Sequence, residues 1–270
     1  MSLVETDWLD KNLNKVKIID CSWHMPQTNR VGFEEYKKQH ISNAIFFDLD
    51  KNSKKNTNLP HMLVEKSDWE KIVSEMGIKK EDKIVIYDNS DVVSACRCWF
   101  SFIYFGHDPN LISVLDGNFN KWLNEKKPIS KNILKIVKSA YKATENNSLV
   151  INKNQVDENI KKRKFQLIDA RGEKRFLGLQ PEPREKMRSG HIEGSINLPF
   201  QFLINTDRTF KKVDELIKIF KNKEISINKD KAFSCGSGIT ACILGLANSL
   251  ITDKKPKIYD GSWAEYGLEK

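Results

Sequence analysis

The two halves of this 270-residue chain carry the same ordered set of apolar runs and polar motifs, offset by about 150 residues. An internal repeat of that kind restricts the possible folds more than any composition figure does. In the first half Ile18-Ile19-Asp20-Cys21-Ser22-Trp23 is followed by His40-Ile41-Ser42-Asn43-Ala44-Ile45. In the second, Leu167-Ile168-Asp169-Ala170-Arg171 is followed by His191-Ile192-Glu193-Gly194-Ser195-Ile196-Asn197-Leu198-Pro199. The run Ile84-Val85-Ile86-Tyr87-Asp88 returns as Ala232-Phe233-Ser234-Cys235, and Leu115-Asp116-Gly117-Asn118-Phe119 returns as Tyr259-Asp260-Gly261-Ser262-Trp263.

Between these runs lie helical patterns such as Trp69 to Met76 and Val213 to Phe220. Short apolar strands alternating with helices predict an α/β fold: tandem duplicated domains, each a mainly parallel sheet flanked by helices. Ligands in such sheets usually sit at the loops leaving the strand C-termini. The stretch 124–147 is rich in Lys, Ser and Asn, contains Pro128 and predicts a long solvated connection. The expected domains are therefore residues 1–145, linker included, and 146–270.

The repeats part company chemically at one loop. Where the second half has Cys235-Gly236-Ser237-Gly238-Ile239-Thr240-Ala241, the first has Asp88-Asn89-Ser90-Asp91 and no thiol. Glycines at 236 and 238 let successive backbone N–H groups turn inward, and the helical pattern from Thr240 to Leu250 adds its positive end, so the loop centre favours an anion. A thiolate is such an anion and is the nucleophilic form of cysteine. The plainer alternative is a buried cysteine acting as a small hydrophobe, and the reactive reading requires that its sulfur be within reach of a substrate. Only the second half is expected to do chemistry directly. Cys96 and Cys98 fall in an apolar helical pattern with Trp99, Phe100 and Phe102 and read as packing residues.

Five cysteines (21, 96, 98, 235 and 242) without a CxxC pair suggest neither a disulfide framework nor a zinc site, and no metal or organic cofactor is expected. The net charge of +9 is carried by lysines interleaved with acids rather than gathered in a stripe, so no nucleic-acid partner is expected. No apolar run approaches membrane-spanning length, and the N-terminus lacks a charged-then-apolar leader pattern. The expected location is cytoplasmic, with no membrane partner.

The paired H-I-x-G-[AS]-x-N-like signatures, the Asp-Gly-Ser-Trp motif and above all C-G-S-G-I-T-A resemble the two-domain rhodanese superfamily, and within it the mercaptopyruvate sulfurtransferase branch, over nearly the whole chain. The resemblance implies transfer of sulfur from 3-mercaptopyruvate through a persulfide on Cys235 to a thiol or cyanide acceptor, with thioredoxin among the candidate partners. In thiosulfate-using relatives basic residues follow the cysteine. Here Gly236 and Ser237 stand there, and Ile239 replaces the usual Val, a change of one methylene.

The resemblance also assigns roles. Arg175 and Arg184 match the arginines that hold the donor's carboxylate and keto oxygen, a task suited to a planar guanidinium, and Pro181 and Pro183 stiffen the segment presenting Arg184. As ordinary surface arginines they would instead pair with neighbours, Arg184 with Glu182 or Glu185. Asp50 and His61, contributed by the first half, match the acid and histidine that align with Ser237, which would place the active site in a cleft between the halves. Gly236, Gly238, Ile239 and Thr240 complete the donor-binding loop. His40 and His191 recur in both halves, as do Asp20 and Asp169, so these read as framework groups together with Arg97 and Arg171. Rival readings are a thiosulfate sulfurtransferase, a non-catalytic rhodanese-like binding module, and a phosphatase; the last needs an Arg where Ala241 stands.

Overall fold

A computed structural model describes residues 2–269 and divides the chain into two compact units. The first comprises residues 1–55, 63–146 and 206–209, and the second 56–62, 147–205 and 210–270.

In the first unit the elements follow as β1 (Leu3–Val4), α1 (Thr6–Asp10), β2 (Lys17–Asp20), α2 (Gly32–Lys38), β3 (His40–Ile41), β4 (Ala44–Phe46), α3 (Lys66–Glu75), β5 (Ile84–Tyr87), α4 (Ala95–Tyr104), β6 (Ile112–Leu115), α5 (Asn118–Asn124) and β7 (Ile129–Ser130). The second has β8 (Val150–Ile151), α6 (Lys153–Lys162), β9 (Gln166–Asp169), α7 (Glu173–Phe176), β10 (Ile196–Asn197), α8 (Val213–Asn222), β11 (Lys231–Ser234), α9 (Ala241–Ile251), β12 (Ile258–Tyr259) and α10 (Ser262–Tyr266).

The five-stranded sheets run β1-β6-β5-β2-β4 and β8-β12-β11-β9-β10, with every pairing in them parallel. The repeat in sequence is thus a repeat in topology. Its register also matches, Asp20 lying beside Tyr87 and Asp169 beside Ser234, so Asp88 and Cys235 leave equivalent strand ends. Strands covered on both faces carry apolar runs rather than alternation, and β5 and β11 are buried throughout. So are α4 along its whole length, Cys96 and Cys98 included, and α9 from Ala241 to Asn248.

The repeated histidines do the same work twice. His40 Nδ1 lies 2.7 Å from the Tyr36 carbonyl and its ring stacks on Tyr36, while His191 Nδ1 lies 2.8 Å from the Phe176 carbonyl and stacks on Phe176. Each ties a helix to the segment that follows it.

The connection after α5 is mostly exposed, as expected of its composition, but it is also tied down by backbone pairing. β7 pairs antiparallel with β3, and the backbone N–H groups of Ser139, Thr144 and Asn146 donate to Ser74, Phe105 and Tyr104 carbonyls. Tyr141 and Ala143 are buried, whereas Ile133 and Val137 remain exposed. Lysine and asparagine content marks the solvated side of this strap, and backbone pairing fixes its path.

Candidate active site

Cys235 follows β11, and five hydrogen bonds shape the loop it opens. Gly238, at φ 80°, donates its N–H to Cys235 Sγ at 3.1 Å. The Trp263 and Ala264 N–H groups at the start of α10 donate to the Cys235 and Gly236 carbonyls at 2.9 and 2.8 Å. Ser262 Oγ accepts from the Cys235 N–H at 3.1 Å and donates to the Tyr259 carbonyl at 2.8 Å. With carbonyls drawn outward onto α10, the loop turns N–H groups toward the sulfur, the arrangement that suits an anion. Ser262 was legible in the sequence only as part of the Asp-Gly-Ser-Trp motif, and its role as a brace depends on tertiary contact. It adopts φ 49°, a left-handed conformation that serine seldom takes.

The first unit builds a similar loop around the carboxyl group of Asp88. Phe119 N–H donates to the Asp88 carbonyl, as Trp263 does to Cys235, and Asn118, in the place of Ser262, has φ 55°. The Asp88 carboxylate accepts from the Ser90 and Ala95 N–H groups at 2.9 and 2.8 Å. Burial pushes its pKa up to about 7 against the pull of those two bonds.

Arg175 and Arg184 both lie at the cysteine loop. A Cβ placed on Gly236 would sit 3.2 Å from Arg175 Nη2 and 3.8 Å from Arg184 Nη1. The buried carboxylate of Glu182 pairs with Arg171 at 2.7 Å and Arg175 at 2.5 Å. Arg171 is further held by Asp169 and lies over the Trp263 ring, 4.5 Å from its centroid.

Ser237 Oγ and His61 Nδ1 share a hydrogen bond of 2.8 Å, with each residue 7 % exposed. The sequence reading drew His61 from the first half. His61 lies in that half of the sequence, and its segment Asn56–Met62 clusters with the second unit although it precedes α3 in the chain. His61 has φ 60°, a strained backbone of the kind found where a side chain must be presented at a fixed angle. Asp50 belongs to the first unit, where its Oδ2 accepts from Trp23 Nε1 at 2.9 Å.

Cys235 is only 2 % exposed, more recessed than an open strand-to-helix loop led us to expect. Ile239 is buried and Thr240, the N-cap of α9, is half-buried. Ile239 therefore contributes to the loop by packing and backbone. None of the five cysteines forms a disulfide, and all are buried. Burial pushes the Cys21 thiol well up. Among the described residues no cluster of His, Cys, Asp and Glu could hold a metal, and no helix is long and apolar enough to cross a membrane.

Residues 5–125 and 152–269 match the family described as "Rhodanese-like domain". The chain is 35 % identical to mouse 3-mercaptopyruvate sulfurtransferase over 98 % of its own length and 91 % of that protein's. It is also 35 % identical to rat thiosulfate sulfurtransferase with the same coverage, so overall identity does not separate the two donors. Among solved structures it resembles the SseA 3-mercaptopyruvate sulfurtransferase of Escherichia coli, with a TM-score of 0.88 at 30 % identity over 97 % of this chain and 99 % of that one. Two matched domains, one sheet order repeated and full-length relatives agree: this chain is a member of the rhodanese family, built from two rhodanese-like domains.

Proposed function

We propose that the protein is a 3-mercaptopyruvate sulfurtransferase working by double displacement. The observation that carries this reading is the pair of guanidinium groups beside Gly236, one residue from a sulfur that already accepts a backbone N–H. A planar α-keto acid offers carboxylate and carbonyl oxygens to such a pair, and bidentate pairing with guanidinium is strong and directional. The residue after the cysteine is glycine, which leaves that space to the donor.

In the first step the Cys235 thiolate attacks the donor's sulfur. The electron pair of the breaking carbon–sulfur bond passes to carbon, pyruvate enolate departs and is protonated to pyruvate, and Cys235 is left as a persulfide. Ser237, oriented by His61, donates toward the carbonyl oxygen on which enolate charge develops. Asp50 enters this reading on the resemblance alone. In the second step a thiolate or cyanide acceptor takes the outer sulfur and regenerates the Cys235 thiolate. Inward N–H groups suit the resting thiolate and the persulfide anion alike. Small thiols and thioredoxin are the acceptor classes this chemistry fits, and a reducing compartment such as the cytoplasm suits five cysteines that form no disulfide. The recessed position of Cys235 favours a small donor and protects the persulfide from water.

The test is donor preference with pyruvate detection, together with intact-mass measurement. Mercaptopyruvate should add about 32 Da to the wild-type chain as a persulfide and nothing to Cys235→Ser, which should also lose turnover. Turnover in that variant would overturn the nucleophile, and faster persulfide formation with thiosulfate at equal concentration would transfer the protein to the thiosulfate branch.

A further inference from the structure

Behind Arg175 lies a buried row of alternating charges that the proposed reaction does not itself use. Asp169 holds Arg171 through both oxygens, with Nε at 3.0 and 3.2 Å and Nη2 at 2.8 Å. Arg171 Nη1 donates to Glu182 Oε1 at 2.7 Å, and Glu182 in turn receives Arg175 through Nη2 at 2.5 Å and Nε at 3.3 Å. The side chains of Asp169, Arg171 and Glu182 are at most 3 % exposed, whereas that of Arg175 is 24 % exposed. The row therefore runs from the interior and ends at Arg175, one of the two guanidinium groups that reach the cysteine loop.

Its geometry is specific. Glu182 grips the Nε–Nη2 edge of Arg175, which fixes the plane of the guanidinium and leaves the Nη1–Nη2 edge unengaged by Glu182. Nη2 lies 3.2 Å from where a Cβ on Gly236 would be. Glu182 stands between Pro181 and Pro183, whose fixed φ and restriction of the preceding residue leave its backbone little freedom. Arg171 is pinned independently by Asp169, the Gly190 carbonyl at 2.8 Å and the Trp263 ring. The backing thus stays in place when Arg175 meets a substrate.

We propose that Glu182 is a positioning residue for donor binding, acting through Arg175: it holds that guanidinium in the plane and at the distance required to grip an anionic donor beside Cys235. The inference deepens the mercaptopyruvate reading and rests on it for the identity of the donor. A buried carboxylate shared by two arginines also leaves the row neutral overall, so Arg175 offers its hydrogen bonds without a large uncompensated charge behind them.

The test is a double-mutant cycle between Glu182→Gln and Arg175→Ala, read in three ways. Glu182→Gln should raise the donor KM about tenfold with kcat changed less than about threefold, the scale of one charge-assisted hydrogen bond. Discharge of a preformed Cys235 persulfide to cyanide, which needs no donor grip, should keep its rate. In the Arg175→Ala background the same substitution should add less than about a twofold further loss, because the residue it acts through is gone. A full tenfold loss in that background, or equal slowing of persulfide discharge, would show that Glu182 merely supports the fold and would overturn the proposal. If Glu182→Gln is unfolded by circular dichroism, Glu182→Asp takes its place, with the same coupling to Arg175→Ala required. Wild-type pyruvate release is measured first. Its absence defeats the mercaptopyruvate reading, while the cycle run with thiosulfate, also an anion, still decides the role of Glu182.

Discussion

Gly236 has no side chain, and two arginines converge on the space one would fill. An arginine introduced there would bring a third guanidinium against Arg175 and Arg184, repelling both and occupying the donor's place. Gly236→Arg should therefore raise the mercaptopyruvate KM by about tenfold or more, the cost of disturbing at least one charged contact. Steady-state kinetics with both donors would check this, and an unchanged KM would separate the arginines from donor binding. The residue types of the loop, and the arginines that serve it, were legible in the chain because each carries its chemistry in its own side chain. Glu182 and Ser262 were not. A glutamate between prolines and a serine in a turn motif acquire their roles only from what folding sets beside them, Arg175 in one case and the Cys235 N–H in the other.

Among the elements, α9 shows how closely the catalytic loop is backed by packing. Its Gly245 faces Pro256 and Ile258, and an added Cβ would lie 2.9 Å from Pro256 Cβ and 3.3 Å from Ile258 Cδ1. Alanine at this position gains up to about 1 kcal/mol of helix propensity but forces apart a buried helix and strand, which costs about 1–3 kcal/mol. Gly245→Ala should lower stability by about 1–2 kcal/mol, visible as a reduced denaturant midpoint with unchanged slope. A stabilised protein would mean that α9 has room to shift. The strand cores and long helices follow directly from apolar periodicity. The path of residues 124–147 does not, because pairing of β7 with β3 is a long-range event that composition cannot report.

At the scale of the whole molecule, equivalent strand ends carry Cys235 in the second unit and the buried carboxyl of Asp88 in the first. Burial raises Asp88 to about 7 and Asp20 to about 6, the latter opposed by its bonds from Ser22. Unfolded, both titrate near the ordinary carboxylate value of about 4. The folded protein thus holds these protons more tightly, so their contribution to stability is full below about pH 4 and is lost as pH rises through about 6 to 7. Equilibrium unfolding should report a decline on the order of a few kcal/mol across that window, offset where other carboxylates are ion-paired. Asp88→Asn should flatten the slope attributable to this site. A wild-type profile that rises steadily from pH 5 to pH 8, with Asp88→Asn superimposable on it, would contradict this account.

The affiliation of residues 56–62 sets a limit on how the duplicated chain can be dissected. A polypeptide cut after Asn146 would retain Cys235, Ser237, Glu182, Arg175 and Arg184, yet would have lost His61, the hydrogen-bonding neighbour of Ser237. Division of the chain at the seam between the repeats therefore separates Cys235 from the hydrogen-bonding partner of its neighbouring serine.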